Sequence, residues 1–280
     1  MKKLTTLALS ATLAATSIGA HADNVLVVLS DANHLDLKNG QVFSTGFYLN
    51  ELLQPVKLLL DAGHTVTFAT PKGNVPTLDK SSVDPMYFNN DQAELERYKA
   101  LLDTLKITSL KDSPVISLSR VEQIGYGHFD AVYVPGGHAP MQDLLTSAPL
   151  GRLLADFNAK GKTTALVCHG PIALLSTMAD PSKFVGELES KGQATADPQW
   201  IYAGYKMTVI SNQEEVLAKG LLEGGAMKFY PQTALEQAGG QFSSNTVPWV
   251  SHVVEDRELI TGENPGSALD VGKALLKRLK

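Results

Sequence analysis

The stretch "LVCHGPIALL", residues 166–175, holds the one cysteine of the 280-residue chain. It ends an apolar run, "TTALVCHG" (163–170), and then turns on Gly170 and Pro171. A short uncharged run, apolar on both faces, suits a buried parallel strand, and Pro171 suits the first position of a helix. A strand turning sharply into a helix is a nucleophile elbow. It would lift Cys168 to the top edge of a sheet, with backbone N–H groups and a helix dipole directed at it. Such surroundings lower a thiol pKa. A small buried hydrophobe at a strand end is the plainer reading of a free cysteine, but the flanking His169 and Gly170-Pro171 favour the reactive one.

Working outward, four more short apolar runs end in Gly, Pro, Ser or Asn: "NVLVVLSD" (24–31), "TVTFATP" (65–71), "AVYVPGG" (131–137) and "MTVISN" (207–212). Helical patterns lie between them. Leu49, Leu52, Leu53, Val56, Leu59 and Leu60 keep helical spacing up to Gly63, a C-terminal cap. "SAPLGRLLADFNAKGK" has Ser147 as N-cap, Pro149 in the first turn and Gly161 after the end. Strand and helix in alternation predict an α/β fold: a doubly wound, mostly parallel sheet with helices on both faces and ligands beyond the C-terminal strand ends. Residues 74–124, with the charged helix "DQAELERYKALLDTL", and residues 180–206 exceed ordinary connections. They are expected to be insertions over the catalytic edge. The tail reads as two strands turning at Asp256-Arg257, then an amphipathic helix.

"MKKLTTLALSATLAATSIGAHA" has two lysines, an uncharged apolar run and the small-x-small pattern Ala20-His21-Ala22. It reads as a cleaved secretory signal peptide over residues 1–22, leaving a single domain over 23–280 in the periplasm. Hydrophobic residues are 44% and charged residues 19%, as in ordinary globular chains. With a net charge of -5 and no basic cluster beyond "KALLKRLK", neither nucleic acid nor an anionic membrane is expected as a partner. A lone Cys168 cannot form a disulfide within the chain, so the fold must hold by its core.

"AVYVPGGHAPMQDL", "ALVCHGPIALL" and "STGFYLNELLQPVKLLLDAGHTVTFATPKG" resemble the three signature blocks of the ThiJ/PfpI superfamily, the class I glutamine amidotransferase-like fold. The likeness spans residues 23–280 in the expected order and is strongest to the branch of glyoxalase III and the holding chaperones. It implies a flavodoxin-like sheet. It also implies Cys168 as nucleophile, His169 as its neighbour at the turn, Glu51 against the thiol, and Glu215, with Glu214 as the near alternative, as the acid orienting the histidine. The residues add one hint for Glu51. Pro55, four positions on, cannot donate to the Glu51 carbonyl, so the helix should be distorted there, although a solvated glutamate beside a tolerated kink reads equally well. Two adjacent acids at a helix start are also simply favourable for the dipole. Gly136 and Gly137 permit close backbone approach and are candidates for oxyanion or substrate binding. His138 is a further candidate, though an exposed loop histidine is ordinarily bland.

Some members of the branch hold a metal on two histidines and one carboxylate. Here His34 and His64 are not paired with an acid at ligand spacing, so no metal and no cofactor is expected. The His-x-Glu pair of the amidotransferases is not matched, because His252 and Glu255 stand one residue too far apart. The expected activity is conversion of small 2-oxoaldehydes such as methylglyoxal to 2-hydroxy acids, or the related deglycase reaction. The partner is then a small carbonyl compound, with a homodimer as the candidate assembly. A holding chaperone, a thiol sensor of oxidation, and a cysteine peptidase or amidohydrolase are the rivals.

Overall fold

In the computed structural model, residues 22–280 are described; the leader expected over residues 1–22 lies outside them but for its last residue. Seven strands form the main sheet: β1 (Asn24–Val28), β2 (Thr65–Thr70), β3 (Ile116–Ser117), β4 (Ala131–Val134), β5 (Thr163–Val167), β6 (Val253–Asp256) and β7 (Leu259–Gly262). Their order is β6-β7-β5-β4-β1-β2-β3, all parallel except β6, which runs antiparallel to β7. Val25, Leu26, Val27, Val132, Val134, Ala165 and Leu166 are fully buried, as a sheet covered on both faces requires. Chain order reverses between β1 and β4. The crevice beyond their C-terminal ends is where such sheets bind ligands.

Helix α1 (Leu49–Asp61) forms the crossover between β1 and β2 and carries Pro55 in its interior. The Glu51 carbonyl, which Pro55 cannot serve, instead accepts a hydrogen bond from the Tyr133 hydroxyl of β4. The kink is therefore satisfied from the sheet. Helix α2 (Gln92–Leu105) is the charged helix expected after residue 90, capped by the Asp91 carboxylate, which accepts from the amides of Ala93 and Glu94. Helix α3 (Leu118–Ile124) leads back to β4. Ser147 caps α4 (Ala148–Ala159) by accepting from the Leu150 amide, and Gly161 beyond it has φ 63°. Then come α5 (Pro181–Lys191), α6 (Asn212–Ala218), α7 (Pro231–Ala238) and α8 (Ala268–Arg278). Helices α1 and α8 pack closely, because Gly272 has no side chain: a Cβ there would lie 2.8 Å from the Pro55 Cα.

Three expectations change. The segment "MTVISN" is no strand of the main sheet; only Lys206–Met207 pairs, with Gln241–Phe242, in a separate two-stranded sheet. Residues 208–211 instead lie alongside the main sheet, with the Thr208 amide donating to Thr261 Oγ1 and the Ile210 amide to the Cys168 carbonyl. Residues 74–124 do more than cover an edge, since they supply β3, the outermost strand. The turn after β5 is a 3-10 helix, Gly170–Thr177, not an α-helix.

Candidate active site

Cys168 follows directly on β5 with φ 60°, a left-handed conformation that a β-carbon makes costly. Two backbone bonds hold it there: its amide donates to the Gly262 carbonyl and its own carbonyl accepts from the Ile210 amide, 2.9 and 3.0 Å. The elbow expected from sequence is thus present and strained, as nucleophile turns are. The side chain is 2% exposed and borders a cavity of about 560 Å³ together with Tyr48, Asn50, Tyr87, His138 and His169.

A relay of polar atoms leads away from the thiol. Cys168 Sγ lies 3.4 Å from His169 Nδ1, and His169 Nε2 lies 2.8 Å from Glu215 Oε1. Both side chains are buried. The choice between the two adjacent acids follows from helix geometry at the start of α6. Glu214 turns the other way and closes a capping box, its Oε2 accepting from the amide and hydroxyl of Ser211. Its Oε1 accepts from the Trp249 amide and from Asn264 Nδ2, both at 2.7 Å, and so anchors the loop at the cavity mouth.

Glu51 comes from the opposite side. It is fully buried in the first turn of α1, and Oε2 accepts from the Gly136 amide at 2.8 Å. Oε1 makes no hydrogen bond of ordinary geometry, and the carboxyl stands near the Cys168 thiol. Burial is the main cause that pushes the Glu51 carboxyl up from 4.5 to about 8, against the smaller lowering effect of its hydrogen bonds. The thiol itself is not acidified. Burial, followed by the nearby Glu51, Glu215 and Glu214 carboxyls, pushes the Cys168 pKa well above the ordinary thiol range. The lowered pKa expected from an elbow does not hold here: the thiol is buried, three carboxyls stand near it, and the helix that follows is only a short 3-10 segment.

The glycines are needed for space. A Cβ on Gly136 would lie 2.5 Å from Glu51 Oε2 and 2.7 Å from the Cys168 Cβ, and one on Gly137 would lie 2.0 Å from the Gly46 carbonyl oxygen. The Gly136 amide, expected to serve an oxyanion, is committed to Glu51. His138 is not the exposed loop residue expected but is 4% exposed, with its ring 4.2 Å from that of His169. Burial, then the neighbouring His169, lowers its pKa well below the ordinary value, so it is neutral. His138, His169 and Glu215 together place two imidazoles and a carboxylate within 4.8 Å of one another. His34 and His64, the histidines weighed in the sequence, sit beside Asp36 and Asp23 instead. Sequence spacing missed this trio because its members come from three distant segments.

Known proteins match this chain over most of its length. The ThiJ/PfpI family-like model matches residues 43–218, from before α1 to the end of α6. The protein/nucleic acid deglycase HchA of Staphylococcus aureus (strain MSSA476) is 26% identical over 93% of this chain and 82% of its own. A probable glutathione-independent glyoxalase, hsp3103, of Schizosaccharomyces pombe is 27% identical over 93% of this chain and 99% of its own. Among solved structures, the Rapid Encystment Protein 24 kDa of Francisella tularensis is 25% identical and superposes with a TM-score of 0.69, covering 91% of this chain and 98% of that one. With a strained cysteine after the fifth sheet strand, a histidine–glutamate pair behind it and the family model across most of the sheet, this chain belongs to the ThiJ/PfpI-like family.

Proposed function

We propose that the protein is a cofactor-independent cysteine enzyme that converts small 2-oxoaldehydes such as methylglyoxal to 2-hydroxy acids without glutathione. The observation that carries this reading is Glu51, buried beside the thiol with a pKa of about 8, which can both take and return a proton near neutral pH. Cys168 Sγ bonds to the aldehyde carbon while the thiol proton passes through His169 to the new hydroxyl. Glu51 then removes the C–H proton of the hemithioacetal and returns it to the adjacent carbonyl carbon, while the hemithioacetal hydroxyl proton passes to that carbonyl's oxygen, leaving a thioester beside a secondary alcohol. Water cleaves the thioester, releasing the 2-hydroxy acid and the thiol. One carbon is oxidised as its neighbour is reduced, so no external oxidant is needed. Glu215 holds His169 in place throughout.

The cavity supports a second, related reading. Its volume of about 560 Å³ far exceeds what a three-carbon aldehyde fills, and Met86, Leu221 and Trp249 at its mouth are 62%, 44% and 43% exposed. That shape suits aldehyde adducts carried on larger molecules, in keeping with a deglycase among the relatives. The deciding experiment follows methylglyoxal consumption without glutathione in the wild type, Cys168→Ser and Glu51→Gln. Cys168→Ser should be inactive and Glu51→Gln slower by about 10² to 10⁴. Full turnover in a folded Glu51→Gln variant overturns the proton-shuttle reading. We further propose export to the periplasm with removal of residues 1–22, which an intact mass from a periplasmic fraction checks.

A further inference from the structure

We propose that His138, His169 and Glu215 form a binding site for one divalent transition-metal ion, zinc foremost, and that its occupancy reversibly silences the catalytic thiol. Two imidazoles and a carboxylate are a donor set of catalytic zinc sites, in which three protein ligands leave a fourth position open. Among the described residues this is the one trio of such donors within 4.8 Å of one another. His169 Nε2 lies 2.8 Å from Glu215 Oε1, and His138 Nε2 lies 4.0 Å from Glu215 Oε2. Zinc bonds of ~2.0–2.1 Å put tetrahedral donors roughly 3.3 Å apart. Side-chain torsions of about an ångström therefore close the site.

Three further features point to a ligand. His138 Nδ1 is buried without a hydrogen-bond partner, and its Nε2, the nitrogen that faces Glu215, stands 4.0 Å from that carboxylate, beyond hydrogen-bond reach. Its ring packs edge-on against Phe43 at 5.2 Å and tilted against His169 at 4.2 Å. Both histidines border the 560 Å³ cavity, which gives the ion a way in and a water a place in the fourth position. An ion on His169 Nε2 leaves the neutral imidazole with its one proton on Nδ1, the nitrogen that faces the Cys168 thiol. His169 can then no longer carry the Cys168 proton. Binding rests on this geometry alone, and only its effect on turnover rests on the catalytic reading.

The test titrates the full chain, freed of metal by chelation and gel filtration, with Co²⁺ and then Zn²⁺. One ion per chain is expected, with cobalt d–d bands of nitrogen and oxygen ligation and no thiolate-to-cobalt charge-transfer band. His138→Asn and Glu215→Gln should weaken binding at least tenfold, whereas Cys168→Ser should bind as the wild type does, and saturating zinc should raise the Tm of Cys168→Ser but not of His138→Asn. A charge-transfer band in the wild type, binding by His138→Asn within twofold of the wild type, or no binding at one ion per chain would each overturn the proposal. His138→Gln is carried in parallel should His138→Asn fail to fold, and the wild-type cobalt spectrum decides the ligand set without any variant. Because these readouts are stoichiometry, absorbance and Tm, an inactive wild type would count against the proposed reaction and leave the metal result intact.

Discussion

Glu51 carries the clearest cost of function in the molecule. Its ordinary pKa of 4.5 rises to about 8 on burial, so the native state binds a proton that the unfolded chain releases across that interval. Stability from this residue is fully present below about pH 4.5 and is lost as pH rises towards 8. Each pH unit of that interval is worth about 1.4 kcal/mol. Glu51→Gln should therefore be more stable than the wild type by a margin of up to several kcal/mol that widens from pH 5 to 8, read by urea unfolding at several pH values. Parallel stability curves would mean that Glu51 stays ionised in the fold. Legibility differs residue by residue here. Cys168 and His169 are adjacent in the chain, so the elbow can be read locally. Glu215 came with the family resemblance, while the burial of His138 and the commitment of the Gly136 amide depend on contacts that no local pattern encodes.

The elements were legible where periodicity and caps coincided. Ser147 with Pro149, Asp91 before its charged helix and the turn at Asp256-Arg257 all sit at observed boundaries. "MTVISN" was not, because an apolar extended run pairs in a sheet only if an edge is free. The place beside β7 is taken by β6, so the run is held only by single bonds, from Thr208 to Thr261 Oγ1 and from Ile210 to the Cys168 carbonyl. Helix α1 shows how one element depends on another: Pro55 opens a gap in its hydrogen bonding, and Tyr133 from β4 fills it. Tyr133→Phe should cost about 1–3 kcal/mol, the price of a buried carbonyl left unserved. It should also slow turnover, since the same turn carries Glu51. A variant as stable as the wild type would mean that the helix satisfies the carbonyl in another way.

At the scale of the whole molecule, the parallel sheet and its switch point were legible from alternating strand and helix signals, but the cavity was not. It gathers residues as far apart as Tyr48, Tyr87, Ile210 and Trp249, which only the folded topology brings together. Trp249 sits at φ 67° with its amide bonded to Glu214, an exposed aromatic held at the mouth at a conformational cost. Trp249→Ala should raise KM for phenylglyoxal about two- to tenfold, the worth of one aromatic contact, and leave KM for methylglyoxal nearly unchanged. Equal effects on both substrates would assign Trp249 to loop structure instead.

The sequence holds a single cysteine, and the fold puts it at the bottom of the site. No second cysteine stands by to capture an oxidised Cys168 as an internal disulfide, so reduction by exchange must come from an external thiol small enough to enter the cavity. The same solitude makes the protein its own gauge. Once the chain is unfolded and freed of metal, one equivalent of thiol label per chain is a direct count of intact active-site thiols, and the fraction that refuses label is the fraction already lost to oxidation.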